Sequence, residues 1–375
     1  MSVKGIQETE KMRLDNAAPW RDPGVMRMLI ERLHSRCTRP MHIMEVCGGQ
    51  TWTLSRYRLE ELFPPELTMV HGPGCPVCVT PAQAIDRAVE LALRPDVIFC
   101  SFGDMLRVPG TTPDISLLKA RSRGADIRLL YSPLEVLDIA RRTPQKHVVF
   151  FAIGFETTMP VYAMTVQKAV EATVENLSLL TSLFTVPAAV EALKADEDCR
   201  IDALLAAGHV CAVTGLESYH RLAERLGIPI VVTGFEPVDM LNGICQAVDM
   251  LEAGRTGVAN AYARVVSEEG LSRGQRVVQE VFRPCAGIWR GLGVIPDSSM
   301  CLRDKYRHFD AARRFGLKDV SEACPTEECM AHLIMKGLRR VEECPSFGKR
   351  CTPQSPLGAP MVSAEGVCAA HFRYR

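Results

Sequence analysis

Apolar, strand-like runs alternate with amphipathic helical runs from residue 41 to about residue 255. The strand-like runs are rich in β-branched or aromatic residues, and a helical pattern follows each of them. They read HIMEVC, LTMVHG, DVIFCSF, DIRLLY, HVVFFAIGF, LSLLTSLF and IPIVVTGF. Strands that alternate with helices form parallel sheets covered by those helices. The pattern therefore predicts an α/β fold.

Two of these runs end in Gly-Phe-Glu, within AIGFETT (152–158) and VTGFEPV (232–238). Parallel sheets bind ligands beyond the carboxyl ends of their strands. The echo favours two similar α/β domains around one cleft, although a three-residue match also arises by chance. We predict an N-terminal helical segment (1–40), a first α/β domain (41–146), a second (147–257) and a small irregular or helical C-terminal domain (258–375).

The chain has 15 cysteines in 375 residues, and their use depends on the compartment. The sequence contains no transmembrane-length apolar run and no signal-peptide pattern, which predicts a cytoplasmic protein. Basic and acidic residues both number 44, so the net charge gives no reason to expect nucleic acid or an anionic membrane as a partner. Clustered cysteines in a large cytoplasmic protein more often bind metal or carry out thiol chemistry than form disulfide frameworks.

The segment HGPGCPVCVTP (71–81) carries two cysteines, Cys75 and Cys78, within disulfide reach. Glycine and proline keep this loop tight, and we expect it to be exposed. Cys78 precedes a predicted helix, whose N-terminus favours a thiolate. The alternative is half of a zinc site, but the sequence has no second Cys-x-x-Cys to complete it. A redox dithiol or a transient metal site is the favoured interpretation.

The segment EVCGGQTW (45–52) places Cys47 at the end of a strand, before two glycines and a helix. Glycines there give the backbone room to approach a ligand. Cys47 is therefore either a nucleophile or soft-metal ligand, or a buried strand-end residue. The stretch alone does not distinguish these two interpretations.

The C-terminal part carries a third group of cysteines, among many prolines. Four of them are separated by fourteen, six and sixteen residues: Cys329, Cys344, Cys351 and Cys368. Four thiolates hold either zinc or an iron–sulfur cluster, and Cys324 is a fifth candidate ligand. The spacing matches neither zinc ribbons nor ferredoxins, so it predicts a metal centre without specifying its type.

Three further polar residues follow strand-like or apolar runs. Glu156 and Glu236 belong to the Gly-Phe-Glu echoes and are either cleft carboxylates or ordinary acids of a first helical turn. His209 is either a hydrogen-bonding group in the cleft or a structural histidine. No phosphate-binding loop and no dinucleotide fingerprint occurs in the sequence.

Taken together and in order, these segments resemble the family of the NiFe-hydrogenase maturation factor HypD. The resemblance extends from about residue 41 to the C-terminus. The matching segments are MEVCGGQT, GPGCPVCVTP, FCSFGDMLRVPG, IGFETT, GFEP, ECPSFGKRCTP and MVSAEGVCAA. It implies a scaffold of two α/β domains around a cleft, with a third part that carries a 4Fe–4S cluster.

The resemblance also implies a function and partners. With the small chaperone HypC, the family assembles an iron ion carrying two cyanides and one carbon monoxide. HypE, carrying a thiocyanate made with HypF, supplies the cyanide, and the Fe(CN)2CO unit passes to the hydrogenase large-subunit precursor. Cys47 matches the cysteine that holds this iron together with a HypC cysteine.

The remaining site residues follow by the same residue-by-residue match. Cys75 and Cys78 match the redox-active pair, Glu156 the acid of Gly-Phe-Glu-Thr-Thr, and His209 a cleft histidine. The cluster ligands match Cys329, Cys344, Cys351 and Cys368. Two departures stand out: Trp52 replaces a frequent histidine, and Pro360 replaces a frequent cysteine.

The cysteine chemistry leaves two other functional classes open. A thioredoxin-like thiol oxidoreductase would use the same dithiol beside a structural zinc site. A pure interaction scaffold would not need the dithiol for activity. Within the family interpretation, the Cys75–Cys78 pair relays electrons between cluster and iron.

Overall fold

The computed structural model describes residues 19–318 and 328–374, and its core consists of two parallel sheets. The strands are β1 Met41–Glu45, β2 Leu67–His71, β3 Val97–Ser101, β4 Ile127–Leu129, β5 His147–Gly154, β6 Leu177–Leu183, β7 Ala203–Ala207, β8 Pro229–Thr233, β9 Gly257–Asn260, β10 Phe282–Trp289 and β11 Gly293–Leu302. The predicted α/β class with parallel sheets is confirmed.

Fifteen α-helices lie within the described residues, and most of them cover the two sheets. They are α1 Pro23–Arg36, α2 Gly48–Arg56, α3 Pro76–Val79, α4 Ala82–Ala92, α5 Leu117–Ser122, α6 Glu135–Arg142, α7 Met159–Glu171, α8 Val186–Lys194, α9 Gly208–Thr214, α10 Glu217–Leu226, α11 Pro237–Glu252, α12 Ser272–Val281, α13 Ala311–Arg314, α14 Ala331–Met335 and α15 Val367–Tyr374. No helix of the described residues is both long and apolar enough to span a membrane.

The first sheet, which we call sheet A, has the strand order β2-β1-β7-β8-β9, and sheet B has the order β4-β3-β5-β6. Each pair of neighbouring strands in both sheets is parallel. In both sheets the chain adds its second strand on one side of the first strand and the later strands on the other side. The two sheets therefore share a topology.

The division of the chain between the sheets differs from the predicted boundary after residue 146. β3 and β4 fall in the predicted first domain, but they pair with β5 and β6 of the predicted second domain in sheet B. The chain then returns to sheet A with β7, which pairs with β1. The strand patterns show where strands occur but not which strands pair. The sequence therefore did not reveal that the chain leaves sheet A after β2, forms sheet B and returns to sheet A with β7.

Alternating residues of the strands supply the packing on both faces of each sheet. In sheet A, Ile43 packs with helices α1 and α11, whereas its neighbour Met44 packs with α8 and α10. In sheet B, Phe150 packs towards α6 and α7, and Phe151 towards α4 and α5. Helices cover both faces, so these strands are almost continuously apolar.

The region after β9 contains a hairpin that the sequence did not predict. β10 and β11 pair antiparallel, and β11 contacts the edge of β6 through a bridge between Phe184 and Ser299. Trp289 is buried against Phe155 and Phe184, with ring centroids 6.0 and 4.7 Å away. The hairpin thus extends the edge of sheet B.

The chain between 328 and 374 consists of short helices and turns, as its irregular sequence suggested. At the opposite end, α1 packs against α11 of sheet A, so the predicted N-terminal helical segment contributes a helix to that layer. Residues 1–18 of this segment lie outside the described residues, and so does Cys324.

Candidate functional site

The order of strands in sheet A reverses between β1 and β7, and two predicted site residues follow these strands. Cys47 comes two residues after β1, and His209 is the second residue of α9, directly after β7. In a parallel sheet, the carboxyl ends at such a reversal open into a crevice where ligands bind. The topology therefore brings Cys47 and His209 together, although they are far apart in the chain.

Cys47 lies at the N-terminus of α2 in an extended conformation, with its thiol buried. Its Sγ is 4.0 Å from both ring nitrogens of His209. Burial raises the pKa of the Cys47 thiol to about 12, so the free thiol is protonated at neutral pH. Burial lowers the pKa of His209, which leaves the imidazole neutral and able to accept a proton. The pair therefore places a thiol and a neutral imidazole side by side in the crevice.

Two glycines at this edge are needed because other chain segments approach closely. A Cβ on Gly74 would overlap the backbone of Cys47, and a Cβ on Gly48 would overlap Glu365 of the C-terminal part. The Gly48 N–H also donates to the Gly74 carbonyl at 3.1 Å. Both glycines therefore let the dithiol loop and the C-terminal part reach Cys47.

Cys75 and Cys78 are joined by a disulfide, with their Cα atoms 5.2 Å apart. Their local structure differs from the expectation in two ways. The pair is buried rather than exposed, because α14 and the C-terminal segment cover the loop. Cys78 also lies inside the short helix α3, which Cys75 caps by accepting the Cys78 N–H at 3.2 Å. The sequence pattern placed Cys78 just before α4 and did not indicate α3.

The four C-terminal cysteines form a common electrostatic group. Burial raises the pKa of Cys368 well above its ordinary value, and Cys329, Cys351 and Cys344 each add to this increase. A Cβ on Gly358 would overlap the Cys329 sulfur, so a glycine is required beside that thiol. These four thiols therefore face one another closely enough to serve a shared metal centre.

Four thiols in one group are a donor set that fits two kinds of centre. A zinc ion binds four thiolates directly, whereas a 4Fe–4S cluster binds each thiolate through a different iron.

A cavity of about 480 Å³ connects the dithiol with the C-terminal cysteines, since both Cys78 and Cys329 line it. Arg290 lines the same cavity, and the sequence analysis did not single this residue out. Its guanidinium donates to the carbonyls of Thr80 and Pro109 at 2.7 and 2.8 Å. Burial lowers the pKa of Arg290 to about 10, and the nearby Cys329 opposes this decrease. Arg290 thus fixes the end of the dithiol loop and carries a positive charge near Cys329.

Glu156 lies after β5 at the strand reversal of sheet B, and its carboxyl group is buried. One oxygen accepts the Val186 N–H at 2.9 Å, and the other has no hydrogen-bond partner among the described residues. Burial raises the pKa of Glu156 to about 7. The carboxyl group also lines a cavity of about 890 Å³ between α10, α12 and the hairpin. Glu156 is therefore a buried carboxyl group that precedes α7, rather than an acid of its first turn.

Glu236, the other acid of the echo, has a different environment. Its carboxylate pairs with the Arg21 guanidinium at 2.5 and 2.7 Å and is half-exposed. It follows β8, whereas the strand of sheet A that corresponds to β5 is β7. The two Gly-Phe-Glu segments are thus not equivalent positions of the shared topology.

The two departures from the family pattern lie near this site. Trp52 packs edge-on against Tyr374, with ring centroids 6.0 Å apart, and below the Arg56 guanidinium. Pro360 lines the cavity shared by Cys78 and Cys329. Both replacements thus contribute apolar surface where α15 and the preceding turn meet the rest of the protein.

A thiol at a strand reversal, a neighbouring disulfide and a four-cysteine group define a cysteine-rich α/β protein. The sequence model described as "HypD: Hydrogenase formation hypA family" matches residues 24–375. The chain is 42% identical to the hydrogenase maturation factor HypD of Rhodobacter capsulatus over 369 residues, which cover 96% of this chain and 97% of the relative.

Two further relatives agree. The hydrogenase maturation factor HypD of Escherichia coli K12 is 42% identical over 366 residues, with 95% of this chain and 97% of the relative covered. The hydrogenase expression/formation protein HupD of Azotobacter chroococcum is 40% identical over 363 residues, with 95% of each chain covered. The chain belongs to the HypD family of hydrogenase maturation factors.

Proposed function

We propose that this protein, with a HypC-type chaperone, is the scaffold on which the Fe(CN)2CO unit of a NiFe hydrogenase is assembled. The observation that most supports this proposal is that three sets of thiols follow one another in the structure: Cys47, the dithiol and the four C-terminal cysteines. Cys47 lies at the crevice, Gly74 of the dithiol loop touches its backbone, and Cys78 shares a cavity with Cys329. An iron anchor, a two-electron carrier and a one-electron carrier would thus follow one another along a short path.

Cys47 is the proposed anchor of the iron cargo, together with a cysteine of the chaperone. Iron that binds cyanide and carbon monoxide is low-spin and ferrous, and a thiolate is a suitable soft ligand for it. The Cys47 thiol must lose its proton to bind the metal. Binding of the metal would make the thiol acidic, and the neutral His209, whose ring nitrogens lie 4.0 Å from Sγ, would accept the proton and pass it on to solvent.

The Cys75–Cys78 pair is the proposed two-electron carrier. Reduction of the disulfide consumes two electrons and two protons and yields two thiols, and closure of the disulfide returns them. A bound 4Fe–4S cluster supplies or accepts electrons one at a time. Cys329, Cys344, Cys351 and Cys368 would hold it, with Arg290 between the cluster side and the dithiol side of the shared cavity.

Glu156 is the proposed proton donor and acceptor for the crevice that contains Cys47. Burial raises the pKa of Tyr219 well above its ordinary value, and Cys211, Glu156 and Cys47 each add to this increase, so Tyr219 lies near all three. A carboxyl group whose pKa is about 7 both donates and accepts protons at neutral pH. Glu156 would therefore supply protons to the anchor side of the crevice.

The remaining partners follow from the family and belong to the same proposal. A HypE-type protein would donate cyanide to the iron at Cys47. The hydrogenase large-subunit precursor would receive the finished unit through the chaperone. The cytoplasm would be the compartment in which these exchanges take place.

The test is anaerobic co-purification with a HypC-type chaperone, followed by infrared spectroscopy and metal analysis. Bands of bound cyanide and carbon monoxide, with about four irons and four sulfides beyond the cargo iron, are the expected result. Absence of the bands from an isolated complex would contradict the assembly role. Stoichiometric zinc without sulfide would instead support a thiol oxidoreductase with a structural zinc site.

A further inference from the structure

Three side chains from separate parts of the chain converge beside α2. They lie outside the thiol path, by which we mean Cys47, the Cys75–Cys78 pair and the four C-terminal cysteines. Glu60 belongs to a 3₁₀ turn (Leu59–Leu62), His71 ends β2, and His371 lies on α15. One ligand atom from each lies within 4.8 Å of the other two. His71 Nε2 is 2.9 Å from a Glu60 oxygen, and the two imidazole rings meet edge-on with centroids 5.3 Å apart.

Each imidazole is held by its other nitrogen. His71 Nδ1–H donates to Glu45 at 2.8 Å, and His371 Nδ1–H donates to the Val367 carbonyl at 2.9 Å. Metal-binding histidines characteristically donate their second N–H to a carboxylate or a backbone carbonyl, which fixes the tautomer and the ring orientation. Both rings therefore present Nε2 as the remaining ligand atom.

The surrounding charges favour a cation. Glu45 is fully buried and Glu60 largely buried, whereas the nearby Glu342 is half-exposed, 3.9 Å from His371 Nε2. Burial alone would lower the pKa of His71, but Glu60 and Glu45 raise it to about 10. Glu45 and Glu60 therefore contact the His71 ring from its two nitrogens. A divalent ion that replaces the Nε2 proton would balance the two carboxylates.

We propose that Glu60, His71 and His371 bind one divalent first-row transition-metal ion, of which Zn²⁺ and Fe²⁺ suit the ligands best. Two imidazoles and one carboxylate are a recurrent donor set for both ions. On binding, the proton of His71 Nε2 passes to solvent, and Glu60 changes from hydrogen-bond acceptor to ligand.

This site would act on the thiol path without belonging to it. His71 lies four residues before Cys75, and His371 lies three residues after Cys368. A bound ion would therefore join the strand that leads to the dithiol with the helix that carries a C-terminal cysteine. The inference goes beyond the proposed function, because it depends on neither cyanide nor carbon monoxide chemistry.

The experiment titrates Zn²⁺ alone into the anaerobically purified full-length chain, in competition with a chelating dye. His371→Asn is the main variant, because the amide still donates to the Val367 carbonyl but lacks the Nε2 ligand. Glu60→Gln is the second variant and preserves side-chain volume. His220→Asn is the control, since His220 pairs with Glu268 at the surface, 3.2 Å away. All four proteins keep every cysteine, so thiol-bound zinc cancels in the comparison.

We expect the wild type and the His220→Asn control to bind one Zn²⁺ more than either site variant, or to bind it at least about 100-fold more tightly. X-ray absorption of that ion should show nitrogen and oxygen donors without sulfur. Equal stoichiometry and affinity in all four proteins would overturn the site, and so would sulfur coordination of the additional ion. If one variant does not fold, the other still decides the outcome.

Discussion

Sheets A and B have the same arrangement of their first four strands, yet the residues at their strand reversals differ in chemistry. In sheet A, a thiol and a neutral imidazole, Cys47 and His209, face each other beyond β1 and β7. In sheet B, the strand that corresponds to β7 leads to the carboxyl group of Glu156. The topology thus fixes where the two crevices form, and the residues after the strands decide which side chains line them.

The two sheets also hold the C-terminal part by different means. On the sheet A side, Gly48 has no side chain, and this allows Glu365 of the C-terminal part to pack against the start of α2. Sheet B holds it through the Arg107 guanidinium, which follows β3 and donates to two carbonyls of that part. Close backbone packing on the sheet A side and a side-chain bridge from the sheet B side therefore position the same segment.

The largest expected effect concerns Cys47, the thiol at the strand reversal of sheet A. Cys47→Ala should fold and keep its cluster, yet lose the infrared bands of the iron cargo completely, because a methyl group cannot bind iron. Cys100→Ala is the matched control, since Cys100 is a buried cysteine of β3, the strand of sheet B that corresponds to β1. Unchanged bands in Cys47→Ala, or equal loss in both variants, would show that Cys47 is not an essential ligand.

The next prediction concerns the dithiol, which lies on the sheet A side. Cys75→Ser and Cys78→Ser should be equally inactive in hydrogenase maturation while the cluster stays intact, because a single thiol cannot close the disulfide. Peptide mapping after alkylation, before and after mild reduction, should show the pair exchanging between disulfide and thiols. Both thiols always free, in protein that still supports maturation, would leave only the scaffold role.

The third prediction concerns Glu156 of sheet B and is a pH effect. The folded state raises the pKa of this carboxyl group from 4.5 to about 7, so the native protein binds the extra proton between these values. Stability must therefore fall as pH rises through this window, by about 3 kcal/mol in total above pH 7. Glu156→Gln should remove this contribution, as measured by urea unfolding at pH 5 and pH 8.

Glu236→Gln provides the comparison in sheet A. It removes a half-exposed ion pair with Arg21, which contributes about 1 kcal/mol or less. Its pH dependence between pH 5 and pH 8 should match that of the wild type. The interpretation of Glu156 fails if its variant and the wild type lose the same stability over this range.

The sequence was sufficient for the class of fold and for most of its strands, because apolar runs buried on both faces are easily recognised. It did not reveal β7, the strand that joins β1 to β8. The five residues of β7 are only alanine and leucine, which give little preference for strands. Without β7, the crevice between Cys47 and His209 could not be located from the chain order.

The site residues show the same limit. Cys75 and Cys78 were found because their spacing is short and local, but their burial depends on the C-terminal part packing over them. Arg290 escaped notice because an arginine beside glycines has no local signature, and its partners Thr80 and Pro109 lie about 200 residues earlier in the sequence. Cys211 is buried in α9, and its apolar run, HVCAVTG, is equally compatible with a strand or a helix.

The smallest expected effect concerns the side-chain bridge from sheet B to the C-terminal part. The Arg107 guanidinium donates to the Pro353 and Val362 carbonyls at 3.3 and 2.9 Å, and the side chain is 43% exposed. Because hydrogen bonds from a charged donor are worth about 1.5–3 kcal/mol when buried, we expect a loss of about 1 kcal/mol at this exposure in Arg107→Met.

Amide hydrogen exchange in residues 350–370 should accelerate about 5-fold, while exchange in sheet A stays unchanged. Arg107→Lys should restore part of the protection, since lysine still carries a donor but cannot reach both carbonyls. Equal exchange in the three proteins would mean that the packing of Glu365 on Gly48 alone positions the C-terminal part.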